Sequence, residues 1–316
     1  MRYAKRTETA VARSSGSALW RRMSTRYDLY LMLLLPTAYY LIFQYAPMYG
    51  MQIAFKNFIA AKGIGGSPWV GLDQFTQFFD SYYFWRLIRN TLSISVFSLI
   101  FAFPVPILLA LLINEIGSSR FKRWVQNVTY IPHFISLVVV VGMLGIFLDG
   151  DHGFVNQLLK EAGLPAVSFL QSPGWFKPIL ILSNIWQTMG FSSIIYIAAL
   201  SGIDPAQYEA AMIDGASRLQ RVRHVSLPGI LPTMTILFIL EIGHLMNVGF
   251  EKILLMQNQL NMESSDVIAT FVYRVGIQQA QYSYTAAVGL FNAVINFILL
   301  IAVNWAARRR GGASLW

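Results

Sequence analysis

The chain has 316 residues, of which 55% are apolar and only 12% are charged, and its mean hydropathy is +0.51. Soluble domains carry about 25% charged residues, so this composition argues against a water-soluble protein and indicates one that is embedded in lipid. The absence of cysteine excludes a disulfide framework, a thiol nucleophile and thiolate metal ligands.

Six apolar runs of roughly the 20 residues that a bilayer requires follow one another along the chain. Lipid offers no partner to backbone groups, so each run predicts a transmembrane helix. Alternation of period two is missing, which argues against a transmembrane barrel. The predicted spans are 29–50, 89–113, 125–148, 178–201, 229–250 and 286–307. The fold class is therefore all-α, a polytopic membrane protein with about six transmembrane helices.

The net charge of +9 would suit nucleic acid, but the basic residues flank the apolar runs, and we expect no nucleic-acid partner. Lysine and arginine are concentrated before the first run, in the loops after runs two and four, and after the last run. This asymmetry predicts that both termini are cytoplasmic. We expect a basic cytoplasmic segment over 1–28, a transmembrane domain over 29–307 and a cytoplasmic tail over 308–316. The first segment either lies on anionic lipid as an interfacial helix or has no fixed structure.

The inner loop 202–228 carries the most specific local pattern. Asp204 is a favourable helix N-cap, Pro205 suits the first helical position, and Gln207 is placed to complete a capping box. Gly215 then supplies a stop or a bend. These residues predict a short helix, which either presents small residues to the groove of a partner or is an ordinary surface helix.

Within and just after this loop, Glu209-Ala210-Ala211, Asp214-Gly215-Ala216, Val225, Leu227-Pro228 and Pro232 resemble the EAA loop. That loop marks the membrane subunits of binding-protein-dependent ABC importers. The stretch Tyr130–Ser136 is similar to permeases of the carbohydrate-uptake, maltose-importer-like branch, especially those for oligosaccharides and polysaccharide fragments such as alginate. The resemblance implies a type I importer permease fold, and we refer to residues 202–228 as the coupling loop.

The resemblance also implies the partners and the docking residues. A second homologous permease subunit, two copies of an ABC ATPase subunit and an external solute-binding protein would complete the complex in a bacterial inner membrane. The chain lacks Gly-x-x-x-x-Gly-Lys-Ser/Thr, so ATP and Mg²⁺ are expected on the ATPase, and no cofactor, metal or catalytic residue is expected here. This sequence departs from the family pattern at one place, because many relatives carry an aromatic residue near Val222. The residues expected to dock against the ATPase are Glu209, Ala210, Ala211, Asp214 and Gly215.

Polar residues inside apolar runs are costly in lipid and suggest a substrate path. The candidates are Asn184, Gln187, Tyr196, Glu241, His244, Asn247, Asn292 and Asn296. They either line a path for an oligosaccharide or hold helices and subunits together. Glu241 and His244 are three residues apart, and such a pair would share one helical face. If the sugar is anionic, basic groups such as His244 or Arg274 should matter.

Two other classes of protein compete with an importer subunit. A secondary transporter driven by an ion gradient often contains internal repeats and broken helices, but the sequence shows no convincing repeat, and such a protein has no use for a docking loop. An intramembrane enzyme needs a catalytic motif, and none of the metalloprotease, serine-hydrolase or carboxylate motifs is present. The sequence therefore favours a non-catalytic transport subunit.

Overall fold

The computed structural model describes residues 26–309 and 314–315. Most of these residues are helical, and the one pairing of extended backbone among them is an isolated bridge between Lys56 and Trp69. The predicted all-α class is therefore confirmed. The predicted basic segment 1–28 lies almost entirely outside the described residues, as does half of the tail 308–316. By its contacts the chain forms two compact units, residues 1–52 and 53–316.

The first predicted span is a single helical segment, Tyr27–Phe55. It begins as an α-helix over Tyr27–Tyr40, passes through a π-helical turn over Leu41–Tyr45 and ends as a 3-10 helix over Ala46–Phe55. The large apolar side chains of its first part are exposed, as is expected for a helix that lies in lipid. We call this segment span 1.

Four more of the predicted runs are long apolar helices, as expected. The first of these four, which we call span 2, covers Phe84–Asn114 and has a helical break at Ala102–Phe103 between the helices Phe84–Phe101 and Pro104–Asn114. Five helices are long and apolar enough to cross a membrane, or up to six if a bent pair counts as one span, among the residues that the structure describes. The four are span 2 (Phe84–Asn114), span 4 (Pro173–Ser201), span 5 (Arg218–Gly243) and span 6 (Tyr282–Arg309).

The third predicted run, 125–148, is not one continuous helix. It forms two helical pieces, Ser119–Phe134 and Leu137–Phe147, bent by 97°. Pro132 lies in the 3-10 turn before the break and has no N–H to donate. The carbonyl of Ile135, which the break leaves free, accepts from Gln187 Nε2 at 3.2 Å. A neighbouring helix thus satisfies the broken backbone, which is the condition for breaking a helix at membrane depth.

The fifth predicted run, 229–250, also ends earlier than expected. The helix stops at Gly243, and residues 244–249 are not helical. Neighbouring helices again supply the missing partners, because Asn296 Oδ1 accepts from the Met246 N–H at 2.9 Å and the Ser95 hydroxyl donates to the Leu245 carbonyl. We call residues 244–249 the span 5 break.

Span 4 is the most buried of the long helices, with 44% of its most apolar stretch inside the structure. It packs against spans 2 and 5 and against the helix Ser119–Tyr130. At the last contact a Cβ on Gly190 would lie 2.0 Å from the Thr129 carbonyl oxygen. Only glycine allows these two backbones to approach so closely.

The remaining helices are short and lie in the loops between spans. A buried carboxylate ties two of these segments to each other and to span 2, since Asp266 accepts from Arg86 of span 2 and from Arg274, each at 3.0 Å. Arg274, one of two basic residues expected to meet an anionic sugar, is therefore held in an ion pair. The short elements are Ala60–Lys62, Gly63–Gly66, Asp73–Phe79, Phe154–Glu161, Pro205–Ile213, Phe250–Met256, Met262–Ser265, Ile268–Phe271 and Val272–Gln278.

Candidate functional site

The predicted helix of the coupling loop runs over Pro205–Ile213. Asp204 caps it by accepting from the Ala206 N–H at 2.9 Å, and Pro205 occupies the first helical position, both as predicted. A capping box does form in this loop, but at Ser217 and Gln220 rather than at Gln207. There the Ser217 N–H donates to Gln220 Oε1 at 2.7 Å, and Gln220 N–H donates to the Ser217 hydroxyl.

The C-terminal end of the same helix is fixed by glycine. Gly215 has a φ of +77°, a left-handed conformation that favours glycine. Its N–H donates to the Met212 carbonyl, and the N–H of Ala216 donates to the carbonyl of Ala211 at 2.9 Å. This pair of bonds is a Schellman motif, and it confirms the stop that the sequence predicts at Gly215.

The surface of this helix presents both the predicted docking residues and apolar side chains. Glu209, Ala210, Asp214 and Gly215 are exposed and Ala211 is half-buried. Apolar neighbours are exposed as well, including Ile213 at 87% and Leu219 at 76%. These residues lie in a loop and not in an apolar run, so lipid does not account for their exposure. Neither Ile213 nor Leu219 is among the docking residues expected from the sequence.

The coupling loop is bound to the ends of two spans. The Tyr208 hydroxyl lies 3.0 Å from the hydroxyl of Ser226, just before the helix of span 5 continues. Arg221 forms an ion pair at 3.5 Å with Glu115, directly after span 2. Tyr208 of the helix Pro205–Ile213 therefore contacts span 5 directly, and Arg221 links the start of span 5 to the end of span 2.

Two adjoining cavities lie among spans 2, 4 and 5. The larger has a volume of about 520 Å³ and the smaller about 340 Å³. Four residues line both cavities: Ala102, Thr188, Glu241 and His244. Among the other predicted path residues, Tyr196 lines the larger cavity, and Asn184 and Asn247 line the smaller one. The structure thus brings five of the eight candidates to one continuous hollow.

The other three candidates lie beside this hollow and contact its surroundings. Gln187 is buried and bonds to Ile135 at the bend described above. Asn296 is buried and holds Met246 in the span 5 break. Asn292 donates to Asn247 Oδ1 at 3.1 Å. These amides position the wall of the hollow.

Glu241 and His244 do not form the ion pair that their spacing allows. The ion pairs found over residues 26–309 do not include this one. The helix ends at Gly243, so His244 is its C-cap residue with φ −110° and no longer belongs to the helical face of Glu241. Both side chains are exposed to the hollow instead.

One polar residue at this site was not among the path residues predicted from the sequence. Lys252 is only 4% exposed, and its ammonium group donates to Asn184 Oδ1 at 2.8 Å. Its place in the sequence carries a signal, because the charges of Glu251 and Lys252 stand between the fifth apolar run and the apolar residues Ile253–Met256. A charge in that position suggests a functional group.

A bundle of apolar helices with a polar hollow and an exposed docking helix defines a membrane transport subunit. Residues 102–312, more than half of the chain, match a protein-family model. The family is described as the inner membrane component of binding-protein-dependent transport systems. The chain belongs to this family. It is a permease subunit of a binding-protein-dependent ABC importer, an inner-membrane component, and the ion-gradient alternative is not supported.

Individual relatives match over almost the whole chain. The polygalacturonan/rhamnogalacturonan transport system permease protein YteP of Bacillus subtilis is 43% identical over 288 residues, which cover 91% of this chain and 90% of YteP. A solved bacterial ABC transporter for the import of the acidic polysaccharide alginate is 45% identical, with a TM-score of 0.86 and coverage of 92% and 98%. A structure of a bacterial alginate transporter in complex with an alginate pentasaccharide-bound periplasmic protein is also similar. Its matching chain is 44% identical, with a TM-score of 0.87, and the match covers 94% of this chain and 99% of that chain.

Proposed function

We propose that this chain forms one wall of the path by which oligosaccharides of an acidic polysaccharide enter the cytoplasm. The observation that carries the proposal is the hollow among spans 2, 4 and 5, where Asn184, Tyr196, Glu241, His244 and Asn247 meet. Amide, hydroxyl, carboxylate and imidazole groups together can both donate to and accept from sugar hydroxyls. The substrates named for the relatives, alginate and polygalacturonan, support an acidic sugar.

The energy for transport comes, in this proposal, from an ATPase that docks on the coupling loop. A groove on each of two ATPase copies receives one such helix, and Glu209, Ala210, Ala211, Asp214 and Gly215 form the contact. ATP and Mg²⁺ bind to the ATPase, and this chain holds no cofactor and catalyses no reaction. The exposed apolar residues next to these positions, Ile213 and Leu219, support a protein partner.

A second permease subunit, homologous to this one, closes the other side of the path. Glu241, His244 and Asn247 are exposed on this chain at the depth of the spans, which supports this second subunit. Charged groups inside a membrane face a polar interior or a partner and not lipid. A solute-binding protein on the outer side delivers the sugar, and the family's dependence on a binding protein supports this partner.

The orientation follows from the basic residues. Both termini and the coupling loop lie in the cytoplasm, and the domain organisation is the one given by the sequence: segment 1–28, transmembrane domain 29–307 and tail 308–316. The residues that place these parts inside are the arginines of the coupling loop and the Arg308–Arg310 triplet, which membrane insertion keeps on the cytoplasmic side.

Reconstitution tests this function directly. The chain, its partner permease, the ATPase and the binding protein are placed in liposomes, and ATP turnover is measured against a panel of acidic and neutral oligosaccharides. We expect the acidic oligosaccharides to stimulate ATP turnover and to accumulate inside. Uptake without ATPase, or uptake driven by a proton or sodium gradient alone, would contradict the proposal.

A further inference from the structure

A buried lysine lies directly behind the wall of the smaller cavity. Lys252 belongs to the short helix Phe250–Met256, which begins immediately after the span 5 break. Its ammonium group lies 2.8 Å from Asn184 Oδ1 and 3.5 Å from Gln187 Oε1. Both partners are neutral amides, and no carboxylate in the described part of the chain forms an ion pair with it. Burying a cation without an anion is costly, so its position calls for an explanation.

A second partly buried lysine shows what a structural role looks like in this protein. Lys177 donates to Asn90 Oδ1 at 3.1 Å and to the Ser93 hydroxyl at 2.6 Å. Asn90 donates in turn to the backbone carbonyls of Glu263 and Asp266. Lys177 therefore joins span 4 to span 2, and its amide partner Asn90 does not line either cavity. Lys252 differs because Asn184 does line a cavity.

The contact with Lys252 fixes the orientation of the Asn184 amide. A lysine ammonium has donors only, so the atom of Asn184 that faces it must be the oxygen. The amide nitrogen of Asn184 is then directed away from Lys252, and within residues 26–309 it has no acceptor. Its two N–H groups are available to a ligand in the cavity. The neighbouring ammonium strengthens them as donors, because hydrogen bonds gain from charge behind them in a low dielectric.

We propose that Lys252 is a specificity-determining residue that prepares Asn184 to receive a carboxylate of an acidic oligosaccharide. It acts through Asn184 and is a positioning residue, since it is buried and does not line the cavity. Glu241 on the same wall accepts from sugar hydroxyls, so the hollow offers an acceptor for hydroxyls and an activated donor for the carboxylate. The inference rests on the proposed function, which supplies the oligosaccharide.

The test compares two changes at Lys252 and one at Lys177 in the complete importer in liposomes. Lys252→Gln keeps a polar side chain but removes the charge, Lys252→Arg keeps the charge, and Lys177→Gln is the matched control at the structural lysine. The probes are an oligogalacturonate and its methyl ester, which has the same backbone but no charge. Initial uptake, the KM for the liganded binding protein, and ATP turnover without sugar are measured.

We expect Lys252→Gln to lower maximal uptake of the acid at least about tenfold, equivalent to about 1.4 kcal/mol. The KM for the liganded binding protein and ATP turnover without sugar should stay within about twofold, since neither the docking surface nor the ATPase contact is changed. The preference of the wild type for the acid over the ester should fall by the same factor. Lys252→Arg should retain most of the uptake, and Lys177→Gln should keep the preference.

A double variant shows whether Lys252 acts through Asn184. In an Asn184→Ala background, Lys252→Gln should add less than about a twofold loss, because residues in one network are not additive. Full additivity would overturn the proposal, and so would acid uptake by Lys252→Gln within twofold of wild type, or an equal loss for acid and ester. If the Lys252→Gln complex does not assemble, the preference of Lys252→Arg for the acid over the ester is measured instead. Loss of that preference in Lys252→Arg would contradict the proposal. Failure of the proposed function is distinct, because the wild-type complex would then show no ATP-driven uptake.

Discussion

The coupling loop and the polar hollow are built in different ways. The helix Pro205–Ile213 is specified by residues within it or directly beside it, with an aspartate cap at one end and a glycine stop at the other. The hollow is assembled from spans 2, 4 and 5, which are far apart in sequence, and from the span 5 break. Local chemistry therefore defines the surface that receives a partner, whereas tertiary contacts define the surface that meets the sugar.

The largest expected effect concerns the packing that positions span 4. Gly190→Ala places a Cβ 2.0 Å from the Thr129 carbonyl oxygen, so one backbone must move. We expect a loss of about 3 kcal/mol or more of stability. The measurement is the thermal unfolding of the purified complex in detergent, together with the amount that reaches the membrane.

Gly142→Ala is the matched control for this change. Gly142 is also helical, but a Cβ there meets nothing within 4 Å in this chain. Alanine should be neutral or slightly stabilising, because it has the higher helix propensity. Equal thermal stability and equal membrane levels of Gly190→Ala and Gly142→Ala would show that the contact between span 4 and the helix Ser119–Tyr130 does not organise the hollow.

A smaller effect is expected from the amide that holds the span 5 break. Asn296→Leu removes the acceptor of the Met246 N–H and leaves a buried donor without a partner, at a cost of about 1–3 kcal/mol. We expect lower thermal stability and reduced sugar uptake, with ATPase binding unchanged. Asn296→Asp keeps an acceptor oxygen in place and should keep the Met246 contact. Loss of ATPase binding in Asn296→Leu would mean that the two regions are not separate.

The smallest effect is expected within the coupling loop. Gly215→Ala meets no neighbour within 4 Å, so its cost is the left-handed conformation alone, about 1–2 kcal/mol. This strain frays one end of the helix Pro205–Ile213 and leaves the hollow intact. We expect weaker ATPase binding, measured by co-purification against ATPase concentration, with unchanged thermal unfolding of the membrane part. A change in sugar preference would contradict this separation.

The sequence analysis succeeded where structure is determined locally. The six runs, the cap at Asp204 and the stop at Gly215 depend on length, apolar content and residues a few positions apart. The bend after Phe134 and the end of span 5 at Gly243 were not predicted, because both lie inside apolar runs that look continuous. Their backbone groups are satisfied by Gln187 and Asn296 from other spans, and one sequence does not show such long-range partners.

The same reason explains the outcome at the candidate path residues. The free-energy cost of placing a polar side chain in lipid identified eight candidate residues. Only the packing of the spans separates those that line the hollow from those that support it. Lys252 was missed because the predicted span ended at residue 250, and a lysine beyond a span is ordinary. The structure places it behind Asn184, where it is buried.

The central claim is that the coupling loop receives the ATPase and the hollow passes the sugar. The most direct test measures ATPase co-purification and oligosaccharide uptake in the same preparations of two variants, Ala210→Asp and Glu241→Ala. The account predicts that Ala210→Asp loses the ATPase, because it places a charge where a groove approaches a small residue. Glu241→Ala should keep the ATPase and lose sugar uptake. Normal uptake by Ala210→Asp, or loss of the ATPase from Glu241→Ala, would contradict it.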